Sequence, residues 1–288
     1  MHPIKHEIQK AERAGYAIGA FNSINLEWMQ AILRAGEATG QPVILQTSVP
    51  PVAYMGGLGL VKSLYDHLLE ALEISVPVAL HLDHGDAETV RQAIAVGYDS
   101  VMFDGSHLPM AENLRLSAEL IELAQAHDVL IECEVGSIGG SEDNIYGKGE
   151  IASLADAKAM ADLGPDYLAV GIGNIHGRYP EDWPGLDFDQ LKILKQGLGD
   201  LPLVLHGASG IPDDQIKQAI KQGISKVNVN TECHLAFSTA MIDYVHEFES
   251  HKEDYLNKKY YEGRHFLSAG YQAVEDKVKE RIELFSRI

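Results

Sequence analysis

Three apolar runs in this chain end in a histidine followed at once by glycine: VALHLDHG (78–85), LAVGIGNIHG (168–177) and LPLVLHG (201–207). A single histidine at a strand end would simply hydrogen-bond nearby backbone. Three of them, His84, His176 and His206, make the donor set a catalytic zinc prefers, with three protein ligands and a fourth position open to substrate. Asp83 precedes His84 and is the candidate general acid–base group. The alternative role is a carboxylate that only orients the neighbouring imidazole. Successive strand residues face opposite sides, so Asp83 and His84 share a rim only where the strand gives way to a loop.

Further polar residues end other apolar runs. Asn22 closes AIGAFN, Ser48 follows PVILQT, Asp104 follows SVMF and Glu134 lies in VLIECEV. Asp104 and Glu134 are either acidic neighbours of the metal, as a secondary site with it, or caps of nearby helices. The segment GSIGGSEDNIYGKGE (136–150) carries five glycines and is long for a strand-to-helix connection. It predicts a lid that orders over substrate, with Glu142 and Asp143 at its tip; a solvated acidic loop is the plainer reading. HGASG (206–210) and NVNT (228–231) offer backbone N–H groups, Ser209, Asn228, Asn230 and Thr231 as an anion cradle. Thr231 also precedes a long helical pattern and suits its N-cap.

These residues need elements to hold them. Eight short β-branched or aliphatic runs read as buried strands: 17–22, 42–47, 76–82, 100–104, 129–135, 167–172, 201–206 and 226–230. Amphipathic segments such as LEWMQAILRAGEA, DAETVRQAIAVG, AENLRLSAELIELAQAH, SLADAKAMADLG and DDQIKQAIKQG lie between them. Ser153 and Pro212-Asp213 mark helix starts. Continuously apolar strands alternating with helices mean parallel strands buried on both faces. Eight such units predict an α/β fold, a (β/α)8 TIM barrel, as one domain over residues 1–288 with a helical extension from about residue 232. No Gly-rich dinucleotide turn follows the first strand, which reads AFNSIN. In such barrels the chemistry gathers at the C-terminal strand ends, and phosphate sites sit after the seventh and eighth strands. Nearly every polar residue named above falls there.

The bulk composition restricts partners. A formal charge of −19 disfavours nucleic acid and anionic membranes, and obliges any anionic substrate to find a local cradle. No window of 18 or more apolar residues exists, and the polar start MHPIKHEIQKAERAG reads as an amphipathic helix, not a signal peptide. Two cysteines, Cys133 and Cys233, give no disulfide framework, so a reduced cytoplasm is the expected home.

The ordered set FNSINLEWMQAIL, VALHLDHG, SVMFDGSH, ECEVGSIGGSED, GNIHG, LVLHGASG and KVNVNTE resembles the class II, metal-dependent ketose-bisphosphate aldolases, most of all their fructose-bisphosphate branch. The resemblance runs from about residue 4 to 286 and includes the tail segment NKKYYEGRHFLSAG. It implies zinc held by His84, His176 and His206, with a monovalent cation as a second candidate cofactor. Asp83 would serve the substrate C4 hydroxyl and Glu142 the proton at C3. Asn22 and Ser48 match substrate contacts. Gly177, Gly207, Ser209, Asn228, Asn230 and Thr231 match the cradle of the dihydroxyacetone-phosphate half. Arg264 matches a tail arginine that reaches the distal phosphate in a neighbouring subunit, which implies a homodimer or a higher homo-oligomer. The chain departs from the family where HGRYPEDWPG has Arg178 and Pro180 around Tyr179, and where Gly263 precedes Arg264. Both departures concern the aldehyde half.

The implied reaction is reversible cleavage of fructose 1,6-bisphosphate to dihydroxyacetone phosphate and glyceraldehyde 3-phosphate. The residue types suit it: a metal stabilises charge on the C2 oxygen, a base takes the C4 hydroxyl proton, and an acid later protonates C3. A lysine Schiff base would do the same work, but Lys226 is predicted to open its strand at the wrong end and no strand ends in lysine. A tagatose-bisphosphate aldolase, or one with another aldehyde fragment, stays open. So do two other classes: a metal-dependent barrel hydrolase, which would want further ligands such as an HxH after the first strand, and a non-catalytic scaffold.

Overall fold

The barrel strands are buried along nearly their whole length, so each must be covered on both faces, and the chain achieves this by closing the sheet on itself. A computed structural model describes residues 3–142, 145–147, 149–251, 253 and 261–286. Its first half runs α1 (Pro3–Ala14), β1 (Ile18–Asn22), α2 (Leu26–Thr39), β2 (Val43–Thr47), α3 (Val49–Tyr54), α4 (Leu58–Ala71), β3 (Val78–Gly85), α5 (Ala87–Val96), β4 (Ser100–Phe103), α6 (Met110–Ala126) and β5 (Leu130–Val135). The second runs β6 (Gly139–Glu142), β7 (Ile145–Gly147), α7 (Leu154–Ala161), β8 (Tyr167–Val170), β9 (Ile175–His176), α8 (Phe188–Leu198), β10 (Leu203–Leu205), α9 (Asp213–Lys221), β11 (Ile224–Val229), α10 (Thr231–Ser250) and α11 (Gly263–Ser286). Strands β1, β2, β3, β4, β5, β8, β10 and β11 form a closed barrel in that order, with β11 pairing back to β1 and every pair parallel. The predicted eight-stranded barrel is therefore present.

Residues alternate between the two sides of this wall. Leu80, Leu82, Val101, Phe103, Ile131, Cys133, Leu168 and Val170 face outward into the core beneath the helices. Ile18, Ala20, Ile44, Ala79, Met102, Leu130, Tyr167, Ala169 and Val204 face inward and make an apolar foot. The foot is closed by α1, whose Ile4, Ile8 and Ala11 share one face and are almost fully buried against it. Above the foot the same inward series turns polar, with Gln46, His81, Glu132, Lys226 and Asn228. Helices start where the sequence supplies acceptors. Asn25, Asp86, Ser153 and Asp187 each accept a first-turn N–H, a contact worth about 1 kcal/mol per cap.

Several local expectations change. The segment 136–150 is not a simple loop: β6 and β7 pair as an antiparallel hairpin, and β6 pairs in parallel with β9. The N-cap of α10 is Asn230, not Thr231, and it makes no side-chain capping bond. Helices α3, α4 and α8 were not anticipated individually. The helical extension is present as α10 and α11. The latter returns along α2, and a Cβ at Gly270 would collide with the Phe237 ring of α10, so the two helices approach closely there. Both cysteines are free and buried, and burial pushes each thiol up to about 12. Among the described residues no helix is long and apolar enough to cross a membrane.

Truncating the plug should leave a cavity between α1 and the barrel foot. Ile8→Ala is expected to lower unfolding free energy by about 2–5 kcal/mol in urea titration, with metal affinity at the opposite rim unchanged.

Candidate metal centre and active site

The end of β3 breaks the rule that adjacent residues diverge. Its pairing with β4 slips between Leu82 and Gly85, and His84 takes a left-handed backbone conformation with φ 47°. That conformation is strained for a residue with a Cβ and persists only where surrounding contacts hold it. The irregularity lets Asp83 and His84 serve the same rim. The glycine beside His206 has an equally local cause: Gly207 has φ 64°, and a Cβ there would collide with the carbonyl oxygen of Ile175. The loops after β9 and β10 can then lie together, bringing His176 beside His206.

The three rings meet edge to face, with centroids 5.0 Å apart for His84 and His176, 4.7 Å for His84 and His206, and 5.9 Å for His176 and His206. One ligand atom from each lies within 4.8 Å of the others. His84 Nε2 and His206 Nδ1 face one another at 3.0 Å. Their remaining nitrogens are held by carboxylates, His84 Nδ1 by Asp104 at 2.8 Å and His206 Nε2 by Glu132 at 2.7 Å. Carboxylates only accept, so each imidazole donates outward and turns a lone pair inward. This donor set fits a divalent cation such as zinc. Burial would push the His84 imidazole down, but Asp83, Asp104 and Glu134 lift it well above its usual range. Burial, with the charge of His84, drives His176 and His206 well below theirs. Positive charge therefore suits the centre, as a divalent cation would supply.

His84, Asp104 and Glu134 form a second group whose ligand atoms also lie within 4.8 Å. Asp104 accepts from Ser106 through both its backbone N–H and its hydroxyl, and neither carboxylate caps α6, whose N-cap is Pro109. The helix-cap alternative for this pair therefore falls away. Burial, reinforced by Asp104, pushes Glu134 well above the carboxylate range.

Asp83 is buried and surrounded by donors. Its Oδ2 accepts from Asn22 at 2.9 Å and from Gln46 at 3.2 Å, and its Oδ1 accepts from Asn228 at 3.3 Å. Burial would push this carboxyl up, but His84, His206 and Lys226, with the Asn22 hydrogen bond, hold it below the usual range. It lines a small cleft with Asn22, Gly177, His206, Gly207, Ser209, Asn228, Asn230 and Thr231. Eight of these nine belong to the substrate and catalytic set expected from sequence, and His206 to the metal set. Ser48 is buried at the N-cap of α3 and does not line the cleft. The backbone of Glu142 belongs to β6, while its side chain and the whole of Asp143 lie outside the described residues. Arg264 is not gathered in: it is exposed on α11, pairs with Glu262 at 3.0 Å, and lines an outer groove with Arg34 and Tyr271.

Four inward-facing residues escaped the sequence reading. Lys226 sits mid-strand on β11, fully buried, with Nζ 2.8 Å from both Glu132 Oε2 and Asn228 Oδ1. His81 donates to or accepts from Ser100 at 2.8 Å and stands 3.7 Å from Glu132, and Gln46 donates to Asn22 at 2.6 Å. The signal was their spacing: Gln46, Glu132, Lys226 and His81 each lie two residues before a residue already singled out, on the same strand face.

A family model described as class II fructose-bisphosphate aldolase matches residues 2–288. The fructose-bisphosphate aldolase of Streptococcus pneumoniae serotype 4 is 52% identical over 278 residues, covering 96% of this chain and 95% of the relative. That of Mycoplasma genitalium is 46% identical over 277 residues, with 96% and 95% coverage. Among solved structures, a putative fructose-1,6-bisphosphate aldolase from Coccidioides immitis superposes with TM-score 0.87 at 27% identity, covering 99% of this chain and 96% of that one.

Glu132 is expected to matter to the metal without touching it. Glu132→Gln should weaken zinc binding about 10–100-fold in a chelator competition, since the imidazole of His206 loses its charged acceptor.

Proposed function

The chain belongs to the class II fructose-bisphosphate aldolase family, and we infer from this that it is a metal-dependent aldolase cleaving fructose 1,6-bisphosphate reversibly to dihydroxyacetone phosphate and glyceraldehyde 3-phosphate. The observation that carries the reading beyond resemblance is Asp83, held ionised and buried in the same cleft as His206 and the candidate phosphate cradle.

His84, His176 and His206 would hold the ion, for which zinc is the best match to three imidazoles, and it would supply Lewis-acid stabilisation at the substrate C2 oxygen. Asp83 takes the proton of the C4 hydroxyl. The O–H electrons become the new carbonyl of the aldehyde, the C3–C4 bond breaks, and its electron pair stays with C3, delocalised toward C2. Asn22 and Gln46 fix Asp83 by donating to it, so the carboxylate needs no reorganisation as the proton moves. Glu142, from the hairpin segment, returns a proton to C3. Gly177, Gly207, Ser209, Asn228, Asn230 and Thr231 cradle the dihydroxyacetone-phosphate half, and the family resemblance adds Ser48 as a substrate contact. Asp104 and Glu134 offer a secondary cation site beside His84, and a monovalent cation is a further candidate cofactor.

Arg264 serves the distal phosphate of a neighbouring subunit, which makes the working form a homodimer or higher homo-oligomer. The support is that it is exposed and basic in an acidic chain, and that its planar guanidinium suits bidentate phosphate recognition. The cytoplasm is the proposed location, in keeping with two buried, free thiols.

Chelation should abolish release of dihydroxyacetone phosphate from a panel of ketose mono- and bisphosphates, and zinc or cobalt should restore it. Borohydride should trap no substrate adduct. Asp83→Ala should retain metal and lose cleavage by about 10²–10⁴-fold, whereas Glu142→Ala should chiefly slow exchange of the C3 proton of dihydroxyacetone phosphate with solvent. Chelator-resistant turnover, or a preference for tagatose 1,6-bisphosphate, would revise the reaction or the sugar. Arg264→Ala should impair the 1,6-bisphosphate far more than the 1-phosphate, and mixed oligomers with Asp83→Ala should regain activity. Equal losses on both substrates would return Arg264 to the surface.

A further inference from the structure

The loop after β10, which forms the phosphate end of the cleft, is braced from two sides. On one side Tyr179 Oη accepts from the Ile175 N–H at 3.0 Å and donates to the Gly207 carbonyl at 2.8 Å. On the other, Glu232 in the first turn of α10 accepts from the Gly210 N–H at 3.2 Å, and its own N–H donates to Ser209 Oγ at 3.1 Å. A carboxylate thus stands directly behind the loop that lines a cleft meant for an anion, in a chain of net charge −19. Left alone it would repel the ligand.

It is not left alone. Arg281, on α11, lies with Nε 3.3 Å from the second oxygen of Glu232 and Nη1 2.8 Å from Asp213, the first residue of α9. Its side chain is only 9% exposed and also pairs with Glu280. One guanidinium from the end of the chain therefore ties together the starts of the two helices that follow β10 and β11. We propose that Arg281 is a positioning residue for phosphate binding: it neutralises Glu232 and holds that carboxylate against Gly210, so that Ser209 and the start of α10 can receive the phosphate of a phosphorylated ketose. The proposal rests on the aldolase reading for the identity of the ligand, but not for the electrostatics.

A double-mutant cycle in the metal-loaded enzyme tests it, read by inorganic phosphate affinity in calorimetry and by steady-state cleavage. Arg281→Met should weaken phosphate about tenfold and raise KM for the bisphosphate by a similar factor, with a much smaller fall in kcat. Adding Glu232→Gln should restore affinity to within about threefold of wild type, because the unpaired carboxylate is gone. A double variant as weak as Arg281→Met alone, or wild-type affinity in a folded Arg281→Met, overturns the proposal. Should Arg281→Met fail to fold, Glu232→Gln with and without Arg281→Met decides: equal affinities support the proposal, and a further tenfold loss shows Arg281 acting on phosphate directly and overturns it. Wild-type enzyme that binds phosphate yet cleaves no ketose would sink the aldolase reading while the cycle still judges Arg281. Wild-type enzyme that binds no phosphate would sink both.

Discussion

Glu132 has no exposure to solvent, yet it holds two partners that the rim above depends on: the ammonium of Lys226 and the imidazole of His206. Taking these charges out of water is costly, and such a pair is often no more stabilising than apolar residues of the same size. What it secures is placement. Lys226 donates to the side-chain Oδ1 of Asn228, which turns its NH2 toward Asp83. Glu132 sets the orientation of His206, and Asp104 does the same for His84. Remove the carboxylate at the centre and both His206 and the Asn228 amide lose their reference.

The height at which this network sits follows from the barrel's filling. Below it the interior is apolar and closed by α1, which shields the buried charges on the foot side. Above it the rim opens to the cleft. The polar layer therefore works where electrostatic interactions are strong and solvent competition weak. This is why Asp83 is held below the usual carboxylate range despite burial while Glu134, with an acidic neighbour and fewer donors, is pushed above it.

Much of this was legible in the sequence, for a physical reason. Strands buried on both faces write themselves as unbroken apolar runs, so polar residues at their ends stand out; His84, His176, His206 and Asp83 were found that way. Lys226 and Glu132 were not, because a charge within a strand counts as interior only once strand limits and register are known. Starting β11 at residue 226 instead of at Ile224 was enough to assign Lys226 to the wrong end. The contact of Arg281 with Glu232 joins residues nearly fifty positions apart, at the start of α10 and near the end of α11, and leaves no local pattern at all. The hairpin of β6 and β7 was masked by its glycines, which read equally well as a loop.

The pairing of β1 with β11 has a consequence in time as well as in space. The ring cannot close until residues near 229 have been synthesised, so β1 waits through most of translation with one edge unpaired. The plug formed by α1 waits with it, since the foot it covers is complete only when the last strand arrives. Contacts of such long sequence separation make folding slow and leave strand edges exposed to other chains. A newborn chain should therefore be most prone to aggregation just before β11 emerges, and substitutions in that strand should affect yield in cells more than their effect on the finished barrel would suggest.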